Sequence, residues 1–135
     1  MAKWKKIALG ITATIGVLAG ILVLGGYWFF SGMCGADQYI SLISPNGKYK
    51  AVIFQFDCGA TTGFSTQVSI LKINENLSNN PGNVYTSKGH PEYVAPVLTW
   101  VSDEHLNIKN IAKTQTYKQK ESWGWVLNKI KVTYN

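Results

Sequence analysis

The chain contains no arginine: all 13 of its basic residues are lysines, set against seven acidic residues. Arginine supplies the planar fork that reads phosphate and base edges, so its absence argues against a nucleic-acid partner. Histidine is scarce too. His90 and His105 stand far apart and keep no ligand spacing with Cys34 or Cys58, so neither a metal site nor a cofactor is expected. From Ile7 to Phe30 there is no charge of either sign.

What is present begins with that uncharged run. As a helix rising about 1.5 Å per residue it is about 36 Å long, enough to cross a hydrocarbon core of roughly 30 Å with some tilt. Lys3, Lys5 and Lys6 precede it, and Asp37 is the first charge after it. Lysines flanking a span stay on the cytoplasmic side, which predicts the N-terminus inside and the C-terminal part outside. Trp4 at one end, and Tyr27, Trp28, Phe29 and Phe30 at the other, match the aromatic belts of the two interfaces. Residues 1–33 therefore read as a cytoplasmic stub and an anchor in the inner (cytoplasmic) membrane, and 34–135 as one extracytoplasmic domain. The run exceeds the roughly 7–15 residues of a signal-peptide core, which favours a retained anchor. A cut after Ala36 is the alternative, but it would strip Cys58 of its partner. Lipidation at Cys34 fails because Met33 stands where a small residue belongs. Ala8, Thr12, Gly16 and Gly20 recur every fourth residue, a spacing that lets helices approach closely in lipid and makes an anchor-mediated homodimer through Gly16 and Gly20 conceivable.

Cys34 and Cys58 both fall on the outer side, where an isolated pair is expected to form one bridge; two reduced thiols are the alternative. From Asp37 onward ten lysines face seven acidic residues. Such a balance fits a solvated lysine face, or weak attraction to anionic lipid or glycan.

The rest of the chain reads as short strands. Gln38–Ile43 and Lys48–Asp57 flank Ser44-Pro45-Asn46-Gly47, a hairpin signal because Asn and Gly accept positive φ. Thr66–Ile73, Asn83–Thr86, Val94–Val101, Leu106–Ile111 and Val126–Tyr134 follow, with a polar loop over 74–82 and a lysine-rich connection over 112–122. The expected fold class is all-β, a small antiparallel sandwich or barrel-like domain after one transmembrane helix. Its core is expected from Tyr49, Ala51, Ile53, Val68, Ile70, Val97, Leu98, Trp100, Leu106, Ile108, Val126, Ile130 and Val132.

One candidate binding loop stands out: Asp57, Gly59, Thr61, Thr62, Gly63 and Phe64. Its glycines admit close backbone approach, its hydroxyls and carboxylate offer hydrogen bonds, and Phe64 offers an apolar contact. The same residues also suit a tight connection pinned by Cys58. No Gly-Lys-Ser/Thr follows, so it is no P-loop. Together with Ser44-Pro45-Asn46-Gly47-Lys48-Tyr49-Lys50-Ala51-Val52, the stretch from Asp57 to Leu71, Gly82-Asn83-Val84-Tyr85 and the hairpin from Trp100 to Ile108, this segment resembles a small bacterial family of unknown function over most of residues 44–110. Its members are short proteins with an N-terminal hydrophobic segment and a compact β-rich domain. The resemblance implies that architecture and carries no activity.

Catalysis finds little support. His90 sits in a Gly-His-Pro turn, His105 beside a hairpin tip, and Asp103 and Glu104 are neighbours in a turn, so no nucleophile–base–acid set and no carboxylate pair across a cleft emerges. Trp123 and Trp125 are candidate surface aromatics, sharing a strand face unless they flank the last strand and bury. Tyr85-Thr86-Ser87-Lys88-Gly89 faintly resembles the lysine-glycine motif of periplasmic lysozyme inhibitors, without the accompanying serine-glycine motif. The expected function is that of a non-catalytic, membrane-anchored module binding another protein in an envelope-accessory, inhibitor or immunity-type role. The rival is a module for envelope lipid or glycan that uses lysines with Trp123 and Trp125.

Overall fold

A computed structural model describes residues 2–31, 33–59 and 63–135, with the side chains of Phe30 and Ser31 left aside. It falls into two compact units, Met1–Met33 and Cys34–Asn135. The first is α1, Ala2–Ser31, and its stretch Ala2–Phe29 is long and apolar enough to cross a membrane, with a mean hydropathy of 2.5. Its two threonine hydroxyls are satisfied within the helix. Thr12 Oγ1 donates to the carbonyls of Ala8 and Leu9, each at 3.0 Å, and Thr14 Oγ1 donates to Gly10 at 2.8 Å. Internal satisfaction of this kind is what a hydrocarbon environment demands.

The second unit is mostly β. Its elements are β1 (Gly35–Ile43), β2 (Tyr49–Asp57), β3 (Ser65–Lys72), β4 (Tyr85–Lys88), α2 (Pro91–Val94), β5 (Val97–Ser102), β6 (His105–Lys109), β7 (Thr116–Gln119), β8 (Ser122–Trp123) and β9 (Ile130–Tyr134). They form a five-stranded sheet in the order β1-β2-β3-β4-β7 and a four-stranded sheet in the order β5-β6-β9-β8.

The β1–β2 hairpin closes where Asn-Gly predicts it. Gly47 holds φ +69°, and its N–H donates to the Ser44 carbonyl at 2.9 Å. Asn46 Oδ1 accepts from Ser44 Oγ at 2.8 Å and from the Lys48 amide at 3.1 Å, fixing the turn from inside. A bulge between Gln38 and Ile40 shifts the register by one residue.

Strand β2 is apolar on both faces, and each face has its own cluster. Ala51 and Ile53 join Val68, Ile70, Val84, Tyr85, Leu106, Ile108, Ile130 and Val132, so this cluster draws from both sheets. Val52, Phe54 and Phe56 join Leu71, and the cluster is covered by Leu77 of the 74–82 loop together with Cys34 and Cys58. Asn79 Oδ1, accepting the Ala36 amide at 3.2 Å, ties that loop to β1.

Several expectations are corrected. Strand β9 runs parallel to β6, because it sits between β6 and its antiparallel hairpin partner β8, so the second sheet is mixed. Residues 91–94 are helical, with Pro91 opening the turn, so β5 begins only at Val97. The connection over 112–122 contains β7, which joins the first sheet beside β4. The last strand starts at Ile130 rather than Val126. Gly124 takes φ +95°, the Asn128 amide donates to the Trp125 carbonyl at 2.9 Å, and the chain turns before it pairs again. Val126 and Val97 therefore lie outside the core, 93% and 46% exposed, while Val84 and Tyr85 lie fully inside it.

Candidate functional site

Three surfaces merit description, all within the 34–135 unit. The first is an open trough of about 680 Å³ at the end of β2 and β3 where the β1–β2 turn lies. In the β2–β3 register Tyr49 stands opposite Lys72, so the two side chains leave the same face of the sheet. The Tyr49 ring meets Trp123 edge-on, with centroids 5.6 Å apart and planes at 75°. Trp125 lies beyond it, 87% exposed. Asn74, Glu75 and Asn128 complete the walls. One carboxylate oxygen of Glu75 accepts the Lys72 amide at 3.2 Å. Sequence reasoning paired Trp123 with Trp125 on one strand face. The structure separates them by the Gly124 turn: Trp123 is half-buried against the core and Trp125 is free of it.

Gly124 explains why the turn is there. A Cβ at this position would lie 2.3 Å from the Asn128 carbonyl oxygen, and φ is positive, so no other residue fits. The glycine between Trp123 and Trp125, just ahead of the expected last strand, was the signal that could have located the turn.

The second surface is an apolar cleft of about 380 Å³ between β1, α2 and β5, with buried Ile53 among its lining residues. β1 and β5 are the outermost strands of their sheets. They meet where Trp100 Nε1 donates to the Leu42 carbonyl at 3.0 Å. Around this seam Ile40, Ile43, Tyr93 and Val97 stay exposed at 49%, 58%, 74% and 46%. Sequence reasoning missed this surface, because Ile40 and Leu42 look like ordinary strand interior.

The third is the candidate loop. Thr61 and Thr62 lie outside the described residues. Cys34 and Cys58 are joined by a disulfide, one step beyond the Gly35–Asp57 pair of the β1–β2 ladder. Asp57 Oδ1 accepts the Gly59 amide at 2.9 Å, a turn that Gly59 enters at φ +111°. Gly63 is exposed. The Phe64 ring lies on His90, with centroids 4.3 Å apart, and the Gly89 amide donates to the Phe64 carbonyl at 3.0 Å. Asp57 and Phe64 are thus engaged within the domain.

The remaining polar contacts stitch strands together. Thr133 Oγ1 donates to Asn107 Oδ1 at 2.9 Å and lies 2.8 Å from His105 Nε2. With the hydroxyl proton directed at Asn107, the imidazole nitrogen is the donor, so this threonine is not being deprotonated by the histidine. The Tyr134 hydroxyl lies 2.9 Å from the Val84 carbonyl and 2.7 Å from that of Lys120. Burial pushes its pKa up to about 12, against a lowering by the Lys120 bond. No group of His, Cys, Asp and Glu able to hold a metal occurs among the described residues. In α1, Gly16 and Gly20 lie one turn apart, with open space where a Cβ would go.

No known family, curated protein or solved structure matches the chain. The resemblance drawn over most of residues 44–110 is thus left without a matching family.

Proposed function

We propose that this chain is a single-pass membrane protein whose β-domain, with its two sheets packed as a small sandwich, lies outside the cytoplasm and acts by binding another protein. The topology rests on Lys3, Lys5 and Lys6 before an uncharged span. The Cys34–Cys58 bridge is in keeping with an oxidising compartment. The same bridge ties the start of the domain to the end of β2.

One observation carries the binding role: the seam at β1 and β5. Among the described residues β1 pairs with β2 alone; Asn79 holds the Ala36 amide and Trp100 the Leu42 carbonyl, and the rest of its outer edge lies beside an apolar cleft with Ile40, Ile43 and Tyr93 around it. Proteins usually shield such an edge with charge, proline or a covering loop, because it invites another strand. Here the partner is an extended segment of another protein that adds to β1 and seats apolar side chains in the cleft. A membrane-held, non-catalytic domain suits an envelope-accessory, inhibitor or immunity-type role.

The test is site-specific photocrosslinking in cells from position 40, with exposed Gln119 of β7 as a control on the other sheet edge. The expected result is one discrete adduct from position 40 that is lost in a Val97→Lys background. Equal labelling from both positions, or none from position 40, would refute the reading. A reporter fused after Asn135 tests the topology separately; activity confined to the cytosol would refute that part.

A further inference from the structure

We propose that the trough formed by Tyr49, Trp123 and Trp125 is a saccharide-binding site, separate from the β1–β5 seam. Three aromatic side chains line one side. Their rings present negative faces, and the C–H bonds on one side of a pyranose ring are the complement of such a face. Lys72, Asn74, Glu75 and Asn128 complete the lining, adding an ammonium, two amides and a carboxylate. Among the described residues neither Asn74 nor Asn128 makes a side-chain hydrogen bond to the rest of the chain, so both amides are open to a ligand. Sugar hydroxyls, each both donor and acceptor, match such a mixture of donors and acceptors. The volume of about 680 Å³ lies within the range of small-molecule sites, about 300–1,000 Å³.

Charge narrows the ligand. One cation and one anion line the trough, so no net field selects phosphate or an acidic headgroup, and a neutral saccharide is favoured. Position is consistent with this. The trough lies at the Tyr49 end of β2, while Cys34 is bonded to Cys58 just past the other end. Nine residue steps at about 3.3 Å place the two about 30 Å apart. The site therefore lies at the far end of the domain from the point where the chain enters it. Trp125 is held out by a turn that only glycine permits at Gly124, which shows a built feature rather than a frayed loop.

The experiment uses the full chain in a detergent without a sugar headgroup, titrated calorimetrically with chitotetraose, cellotetraose and maltotetraose to millimolar concentration. Saturable binding of at least one probe is expected, with Trp125→Ala lowering affinity about tenfold and leaving the thermal midpoint unchanged. Because Trp125 packs on nothing in the core, that variant folds, and Glu75→Gln serves as the polar counterpart with a loss of severalfold. No binding of any probe, or binding indifferent to Trp125→Ala, overturns the proposal. A second arm measures quenching by brominated acyl chains in proteoliposomes, as wild type minus Trp125→Phe. Quenching of Trp125 without saccharide binding would assign the exposed Trp125-Val126-Leu127 tip to lipid and likewise overturn the proposal. Crosslinking at position 40 is unaffected by either result.

Discussion

Removing the Cys34–Cys58 bridge by a double change to alanine perturbs the unfolded chain far more than the folded one. The two residues are 24 apart and enclose β1, its turn and β2. In the chain-entropy treatment a closed loop of that size restricts the denatured ensemble by about 3.5 kcal/mol at room temperature. In the native state the Gly35–Asp57 to Ile43–Lys50 ladder and the Gly47 turn still hold the hairpin in register without the bridge. The fold should therefore survive, at lower stability. With a urea m-value of about 1.5 kcal/mol/M for a domain of this size, the midpoint should fall by about 2 M, with m rising slightly as the freed denatured chain exposes more surface. The assay is urea unfolding of the full chain in micelles, followed by tryptophan fluorescence and far-ultraviolet circular dichroism. Amide exchange should rise first at Gly35–Asp37 and at Phe56, the rungs nearest the lost bond. A midpoint shift below about 0.3 M would refute the reasoning, because it would mean the unfolded state gains little freedom. A fall in m would show that the native state itself had loosened.

Other expectations follow from particular contacts. Gly82→Ala should cost about 2–4 kcal/mol, since its Cβ would meet the Tyr85 and Val68 carbonyl oxygens at 2.8 and 2.9 Å, and neither backbone can yield; chemical denaturation measures it. Ile108→Ala should cost about 3 kcal/mol through the cavity it leaves, whereas Val126→Ser should stay within about 0.5 kcal/mol of wild type; equal losses would place Val126 back in the core. Tyr134 adds a pH dependence. Its folded pKa of about 12 lies above the ordinary 10, so the folded state holds the phenolic proton more tightly. That contribution is complete below pH 10 and is lost as pH rises from about 10 to 12, by up to about 2 kcal/mol after allowance for partial solvent exposure. Tyr134→Phe should flatten this part of the stability profile, read as thermal midpoints of the two proteins across that window.

Some of these features were legible in the residues alone, because they depend on short stretches of chain. An uncharged apolar run of sufficient length is a membrane-spanning candidate whatever follows it. Asn46-Gly47 closes a hairpin because its φ requirement is local, and the two cysteines fall across one ladder because the hairpin counts outward from that turn. Trp123 and Trp125 drew notice as exposed aromatics, although the Gly124 turn that sets them apart went unread. The 57–64 loop drew notice as well, but its Asp57 and Phe64 face contacts with Gly59 and His90 that no spacing reveals.

The residues by themselves determined the partition of the chain into a membrane-length helix and a strand-rich remainder, since hydropathy and turn chemistry act over a few positions. Tertiary structure alone decided that β7 joins the first sheet, that β9 lies parallel to β6, that Val84 and Tyr85 are core while Val126 is solvent, and that a trough and a cleft exist. Strands of two to five residues, such as β8, β4 and β9, carry too few alternations to declare an inward face. Their faces are set by which distant strands they meet, and that is settled only when both sheets assemble around the shared cluster.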